Sequence, residues 1–187
     1  MRIPKNMEEV SLEWIEECVG SGNLNSINLI PMGEGVGMMS SMSVIELDWK
    51  EPTELPTSLV LKLAAENDTN RAVSKQFNLY LKEVNYYNDL APLTTARCPK
   101  IYASKIDKEH NFFLLMEDVS SYRMGSQVEG ASVEECKLCV DFLVNLHASF
   151  WNQLTDIDWL PNMAGSDNAT NMAIGCSAGW PQVQKIF

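Results

Sequence analysis

Three kinds of residue in the sequence have types and spacing that suit phosphate chemistry. Glycines alternate at Gly33, Gly35 and Gly37. A glycine-rich turn lets backbone N–H groups approach a phosphate closely, because no side chain intervenes. Lys62, on a predicted strand, could supply a point charge to the α- and β-phosphates of a nucleotide, and Glu83, on the following predicted helix, could hold that lysine as an ion pair.

Each of these features also has a purely structural interpretation. Alternating glycines are common in flexible turns, Lys62 could keep an edge strand soluble, and Glu83 could be a solvated helix residue paired with Lys82. However, the strand around Lys62 is otherwise almost wholly apolar, and a lysine there must either reach water or find a partner. The order of the three features along the chain therefore favours a phosphate site.

The charge balance excludes several classes of partner. The 187 residues include 14 Lys or Arg and 25 Asp or Glu, which gives a net charge of −11. Nucleic acids and anionic membrane surfaces need basic patches, so neither is expected as a partner. No run approaches the ~18 apolar residues of a membrane span, and no secretory leader is evident. The odd count of five cysteines indicates reduced thiols and predicts a cytoplasmic protein.

Hydrophobic periodicity places these residues on predicted elements. We expect helices over 11–19, 70–90 and 132–152, and strands over 26–32, 38–49, 58–64, 100–106 and 111–119. Ser132 and Glu135 form a predicted capping box. Residues 151–187 hold few charged groups and predict a long loop, with a helix just starting near Pro181.

Three residues on the predicted helix 132–152 could suggest other chemistry: a pair of cysteines and a histidine. Cys136 and Cys139 have the spacing of a metal or redox pair, but no second ligand pair accompanies them. They lie on the apolar face of the helix, which predicts buried structural thiols. His147 lies on the same face and is interpreted as a core histidine. We therefore expect no metal site here.

Six segments together resemble a known superfamily: 33–37, 58–63, 77–87, 98–102, 113–119 and 143–151. The most specific are Glu-Val-x-Tyr-Tyr, Leu-Met-Glu-Asp and Leu-His-Ala-Ser-Phe-Trp. With these segments the chain resembles the aminoglycoside phosphotransferase and choline-kinase-like superfamily, and within it the ecdysteroid-kinase-like (CHK kinase-like) group. The resemblance covers roughly residues 10–152.

The resemblance implies an α+β, protein-kinase-like fold. Residues 1–116 would form a small nucleotide lobe of antiparallel sheet plus helix, 117–130 the hinge and linker, and 131–187 the incomplete start of a helical large lobe. The implied activity is ATP-dependent transfer of a phosphoryl group, with magnesium, to the hydroxyl of an unknown small molecule.

The resemblance also implies which residues contact ATP. They are Gly33, Gly35, Gly37, Lys62, Glu83, Met116, Glu117 and Val119. Lys62 would contact the phosphates and Glu83 would orient Lys62. The backbone from Glu117 to Val119 would bond the adenine, with Met116 at the back of the adenine pocket.

The sequence does not contain the catalytic loop that such a kinase needs, His-x-Asp-x-x-x-x-Asn. Its two histidines, His110 and His147, are not followed by the required aspartate. Asp141 precedes Phe142 but lies within a periodic helix. We expect the catalytic aspartate and the magnesium ligands beyond Phe187, so the chain would be a fragment that cannot transfer phosphate alone.

Three hypotheses follow from the sequence. The first is a small-molecule hydroxyl kinase represented by its nucleotide lobe. The second is a catalytically inactive module that binds nucleotide or acts as a scaffold. The third is an interaction domain without nucleotide, in which Lys62 and Glu83 are only a structural pair.

Overall fold

A five-stranded antiparallel sheet organises the first part of the chain. The computed structural model describes residues 1–32, 39–123, 125–126, 128–154, 157–160 and 167–185. The strands are β1 (Leu24–Met32), β2 (Ser40–Trp49), β3 (Ser58–Ala64), β4 (Ile101–Ile106) and β5 (Phe112–Glu117). The helices are α1 (Leu12–Val19), α2 (Asp68–Gln76), α3 (Leu79–Asn85), α4 (Val133–Ser149) and α5 (Asp167–Val183). The predicted α+β class, with an antiparallel sheet plus helix, is confirmed.

The strand order is β1-β2-β3-β5-β4, so β3 and β5 lie inside the sheet. All five predicted strands are present, with ends shifted by at most two residues. β5 is continuously buried from Phe112 to Met116, as its unbroken apolar sequence predicted. The predicted glycine contacts at Gly33, Gly35 and Gly37 lie outside the described residues.

The alternation of β3 separates two hydrophobic clusters. Leu59, Leu61 and Leu63 pack on one face of the sheet, in a cluster that includes Trp14 and Ile15 of α1. Val60 and Ala64 pack on the other face, in a cluster that includes Tyr80 and Val84 of α3. Successive side chains of a strand point to opposite faces, so this strand joins the two cores.

Aromatic contacts join α1 and α3 to the sheet. The ring of Trp14 meets that of Phe113 edge-on, with centroids 4.9 Å apart. On the opposite face, Tyr80 stacks on Phe112 with centroids 4.2 Å apart. Offset or edge-on aromatic pairs stabilise a fold by more than the burial of their apolar area alone. The adjacent residues Phe112 and Phe113 thus anchor two different helices.

The predicted helix over 70–90 is broken, contrary to the uninterrupted periodicity of the sequence. Asn67 starts α2 early, because its Oδ1 accepts hydrogen bonds from the amides of Thr69 and Asn70. Asn78 then adopts a left-handed backbone with φ 51° and separates α2 from α3. Asparagine tolerates this conformation better than most residues. A π-helical turn, Tyr86–Leu90, follows α3.

Helix α4 begins at the predicted capping box but is more exposed than predicted. Ser132 Oγ accepts from the Glu135 amide, and the Glu135 carboxylate accepts from the Ser132 amide. None of the helix's residues is buried. Cys136, Cys139 and His147 are exposed, so their prediction as core residues is wrong. Leu146 and Phe150, which lie on the predicted apolar face, are only partly buried.

The chain divides into two units, Met1–Trp151 and Asn152–Phe187. The second unit contains α5, so the prediction of a long loop from 151 to 187 is wrong over Asp167–Val183. Pro181 lies inside this helix near its end, rather than at the start of one. The domain boundaries predicted after residues 116 and 130 stay predictions. Among the described residues, no helix has the length and apolarity to cross a membrane.

The environments of the cysteines predict unequal thiol reactivity. Burial, helped by the negative charge of Glu17, raises the pKa of Cys18 to about 12. Cys136 and Cys139 on α4, and Cys176 on α5, are exposed. Because the thiolate is the reactive form, Cys18 should react with Ellman's reagent at pH 8 far more slowly than these three.

Site-resolved labelling by peptide mass spectrometry measures this difference. A Cys136→Ser, Cys139→Ser double variant should lose the rapid labelling of α4 and keep that of Cys176. Rapid modification of Cys18 in the folded protein, or protection of both α4 thiols, would contradict the described packing.

Candidate functional site

The two charged residues singled out by the sequence meet in the structure. Lys62 lies in β3 and points to the face that α3 covers. Its Nζ donates to Oε1 of Glu83 over 2.6 Å. The side chains are 20% and 27% exposed, so the pair is partly shielded from water. A charge-assisted bond at this distance fixes the direction of the lysine side chain.

An apolar row crosses the sheet beside this ion pair. Val60, two residues before Lys62, shares its face of the sheet. The register places Val60 beside Val44 of β2 and Met116 of β5. It extends the row to Ile30 of β1 and Ile101 of β4. Val60 and Met116 are buried, whereas Val44 and Ile101 are partly exposed and Ile30 is exposed, so only part of the row is accessible next to the fixed cation.

The sequence analysis identified only Met116 of this row. Met116 is 8% exposed and lies in the same buried cluster as Val60 and Val84. The alternation of β3 was enough to place Val60 and Lys62 on one face. The partners on β1, β2 and β4 required the cross-strand register, which a single strand does not reveal.

The predicted hinge residues begin with Glu117, the last residue of β5, and are tied to neighbouring segments. The amide of Glu117 donates to the Lys100 carbonyl over 2.8 Å. Its carboxylate accepts from the Lys100 amide over 3.0 Å. Since this amide of Glu117 is already bonded, a ligand held at the hinge would have to use other backbone groups. The adenine contacts of Glu117 and Val119 stay predictions.

Asp118 fastens the same segment to the start of β3. Its Oδ2 accepts from Ser58 Oγ over 2.7 Å, and its Oδ1 accepts from the Ser120 amide over 2.8 Å. Hydrogen bonding by Ser120, and to a smaller extent by Ser58, lowers the pKa of Asp118 from its ordinary value of 3.8. The sequence analysis included Asp118 in the Leu-Met-Glu-Asp segment and in the hinge, but it assigned the carboxylate no role.

Two described cavities lie on either side of the segment Arg97–Pro99. One, of about 250 Å³, is lined by this segment with Glu117, Val119 and Tyr122. The other, of about 420 Å³, lies between the same segment and Tyr87. Neither lining includes Lys62 or Glu83. Glu117 and Val119 therefore face the smaller cavity, while the ion pair lies on the α3 side of the sheet.

The model of the ecdysteroid kinase-like family matches residues 34–151. This is more than half of the chain. The chain belongs to the ecdysteroid kinase-like family. The match spans Lys62, Glu83 and the segment after β5, and it confirms the resemblance recognised from the sequence. At the level of the family, the activity is that of a kinase-like phosphotransferase. Curated proteins provide no match to the chain.

The family's kinase-like chemistry calls for a divalent cation on the phosphates. Within the part of the chain that the structure describes, no group of three or more His, Cys, Asp or Glu is arranged to hold a metal ion. Glu83 is engaged by Lys62 and Asp118 by two serines.

The lowered pKa of Asp118 makes a prediction about acid stability. The folded state favours the carboxylate, so its stabilisation is present above pH 4 and is lost as the pH falls through the lowered pKa. Asp118→Asn should therefore reduce the urea midpoint at pH 7 and flatten its decline between pH 5 and about pH 2.

Ser58→Ala is the matched control, because it removes one of the bonds and leaves the carboxylate. In this variant the decline of the urea midpoint with falling pH should be flattened less than in Asp118→Asn. If the wild type and Asp118→Asn decline in parallel over this range, Asp118 does not contribute as described.

Proposed function

We propose that this chain binds ATP and supplies the nucleotide-binding part of a phosphotransferase that acts on a hydroxyl group of a small molecule. The observation that carries the proposal is the Lys62–Glu83 ion pair, with 2.6 Å between Nζ and Oε1, beside an apolar row on the same face of the sheet. The row would hold the adenine ring and Lys62 would hold the phosphates.

The chemistry of the pair supports this division of work. Lys62 carries a positive charge that neutralises phosphate oxygens, whose negative charge is present in both the bound nucleotide and the transition state. Glu83 restrains the flexible lysine, so less side-chain entropy is lost when phosphate binds. In this proposal magnesium arrives as the counterion of ATP and needs no separate metal site in the described residues.

A module that binds nucleotide without transferring phosphate is the second candidate. The observation that favours it is in the sequence, which contains no His-x-Asp-x-x-x-x-Asn segment. Without the aspartate of that segment, no kinase-type base is available for the acceptor hydroxyl. We accordingly propose that these 187 residues by themselves bind ATP and do not transfer its phosphoryl group.

Nucleotide binding is tested by titrating the protein with Mg-ATP in a calorimeter. Lys62→Ala should weaken binding by about 10- to 100-fold, because a hydrogen bond to a charged group contributes about 1.5–3 kcal/mol. Glu83→Gln should weaken it by a smaller factor, since the ammonium remains but is less restrained.

Lys105→Ala is the matched control, since Lys105 is an exposed lysine of the same sheet whose Nζ donates to the Met1 carbonyl. Its affinity should stay within about 2-fold of the wild type, as expected for a change at an exposed charge. Equal affinity of Lys62→Ala and the wild type, or no heat of binding at millimolar Mg-ATP, would refute the proposal. Phosphoryl transfer to any hydroxyl acceptor by the 187 residues would refute the second part.

A further inference from the structure

Helix α3, which carries Glu83, has little stability of its own. It has only seven residues, and isolated helices of that length are unstable in water. It begins at Asn78, whose side chain makes no capping hydrogen bond, and it runs into a π-helical turn. Within α3 the buried residues are Tyr80 and Val84. The position of Glu83 must therefore depend on the contacts that these two residues make.

The hydroxyl of Tyr80 joins two other segments. It donates to the backbone carbonyl of Met39 over 2.7 Å and accepts from the amide of Ala65 over 3.0 Å. One proton and one lone pair of the hydroxyl are thus used. Ala65 is 4% exposed and follows the end of β3, so its amide would lose a buried partner if the hydroxyl were absent.

Both joined segments belong to the site. Ala65 lies three residues after Lys62 on the same stretch of chain. Met39 lies two residues after Gly37, the last glycine of the run. The side chain of Met39 is held as well, since Ser74 Oγ lies 3.6 Å from its Sδ. Tyr80 therefore connects the helix of Glu83 with the strand of Lys62 and with the residue that follows the glycine run.

The ring of Tyr80 also packs against the sheet. It is 2% exposed and stacks on Phe112 of β5, with an interplanar angle of 17°. Tyr80 and Glu83 are three residues apart and so lie on the same side of α3. Because the ring is stacked, the hydrogen bonds of its hydroxyl restrain the backbone of α3 at Tyr80, one turn from Glu83.

We propose that Tyr80 is the positioning residue of the site: its hydroxyl sets the placement of Glu83, and through Glu83 the direction of Lys62. The inference rests on the proposed function, because it assigns a purpose to the placement of Lys62. It also predicts that the Lys62–Glu83 ion pair depends on the Tyr80 hydroxyl, and this dependence can be measured without nucleotide.

The experiment measures the rate at which sulfo-NHS-acetate acetylates Lys62, resolved by peptide mass spectrometry, in the folded chain without nucleotide. Tyr80→Phe keeps the stacked ring and removes the hydroxyl. The hydroxyl makes two hydrogen bonds, and loss of each changes an equilibrium by about 2- to 10-fold, so we expect Lys62 acetylation to accelerate by at least about 2-fold. Glu83→Gln should accelerate it as well. Tyr80→Phe in the Glu83→Gln background should add nothing, because the effect passes through Glu83.

Tyr86→Phe is the matched control. Tyr86, like Tyr80, lies three residues from Glu83, but its hydroxyl lies 3.1 Å from Cys98 Sγ, so the same chemical change is made without removing the hydrogen bonds to Met39 and Ala65. This variant should leave Lys62 acetylation at the wild-type rate. All rates are taken at a temperature where circular dichroism shows each variant fully folded.

The outcomes separate this inference from the proposed function. If Tyr80→Phe lowers the unfolding midpoint without changing Lys62 acetylation, the hydroxyl only stabilises the fold and the inference is overturned, even where Lys62→Ala still weakens Mg-ATP binding. Additive effects of Tyr80→Phe and Glu83→Gln also overturn it. If the acetylation pattern holds and Mg-ATP does not bind the wild type, the positioning is supported and the nucleotide function fails.

Discussion

The site depends on one constraint, a lysine within an interior strand that is otherwise apolar. Lys62 lies in β3, between β2 and β5, and its neighbours along the strand enter the two hydrophobic clusters. An ammonium group partly shielded from water in such a place requires an acidic partner. Glu83 is that partner, and it is available only if α3 lies against this face of the sheet. The pair therefore specifies which way a short helix must dock.

Much of this arrangement could be predicted from the sequence. The alternation in β3 separated Leu61 from Lys62, and the bounds Ser58–Ala64 were predicted without error. The order of strand, lysine, helix and glutamate was enough to propose the ion pair. The break at Asn78 could not be predicted, because apolar residues continue at helical spacing across it. One residue in a left-handed conformation changes the direction of the chain without changing the periodicity.

The helices beyond β5 show a different limit of sequence analysis. Apolar periodicity in α4 identified residues that share a face, including Cys136 and Cys139, but the face is exposed among the described residues. Periodicity reports which side chains lie together, whereas burial depends on a second surface that the segment itself does not encode. In α5, low charge content suggested a loop, although the segment Asp167–Val183 is helical.

The two parts of the proposed nucleotide site are built by different kinds of interaction. The apolar row around Val60 and Met116 is set by backbone ladders across the strands, which fix its geometry with many hydrogen bonds. The placement of Lys62 depends instead on α3, a two-turn helix held by the side chains of Tyr80 and Val84. Local stability differs between such elements. In the proposed site, this difference in construction predicts a rigid surface for the base and a more adjustable grip on the phosphates.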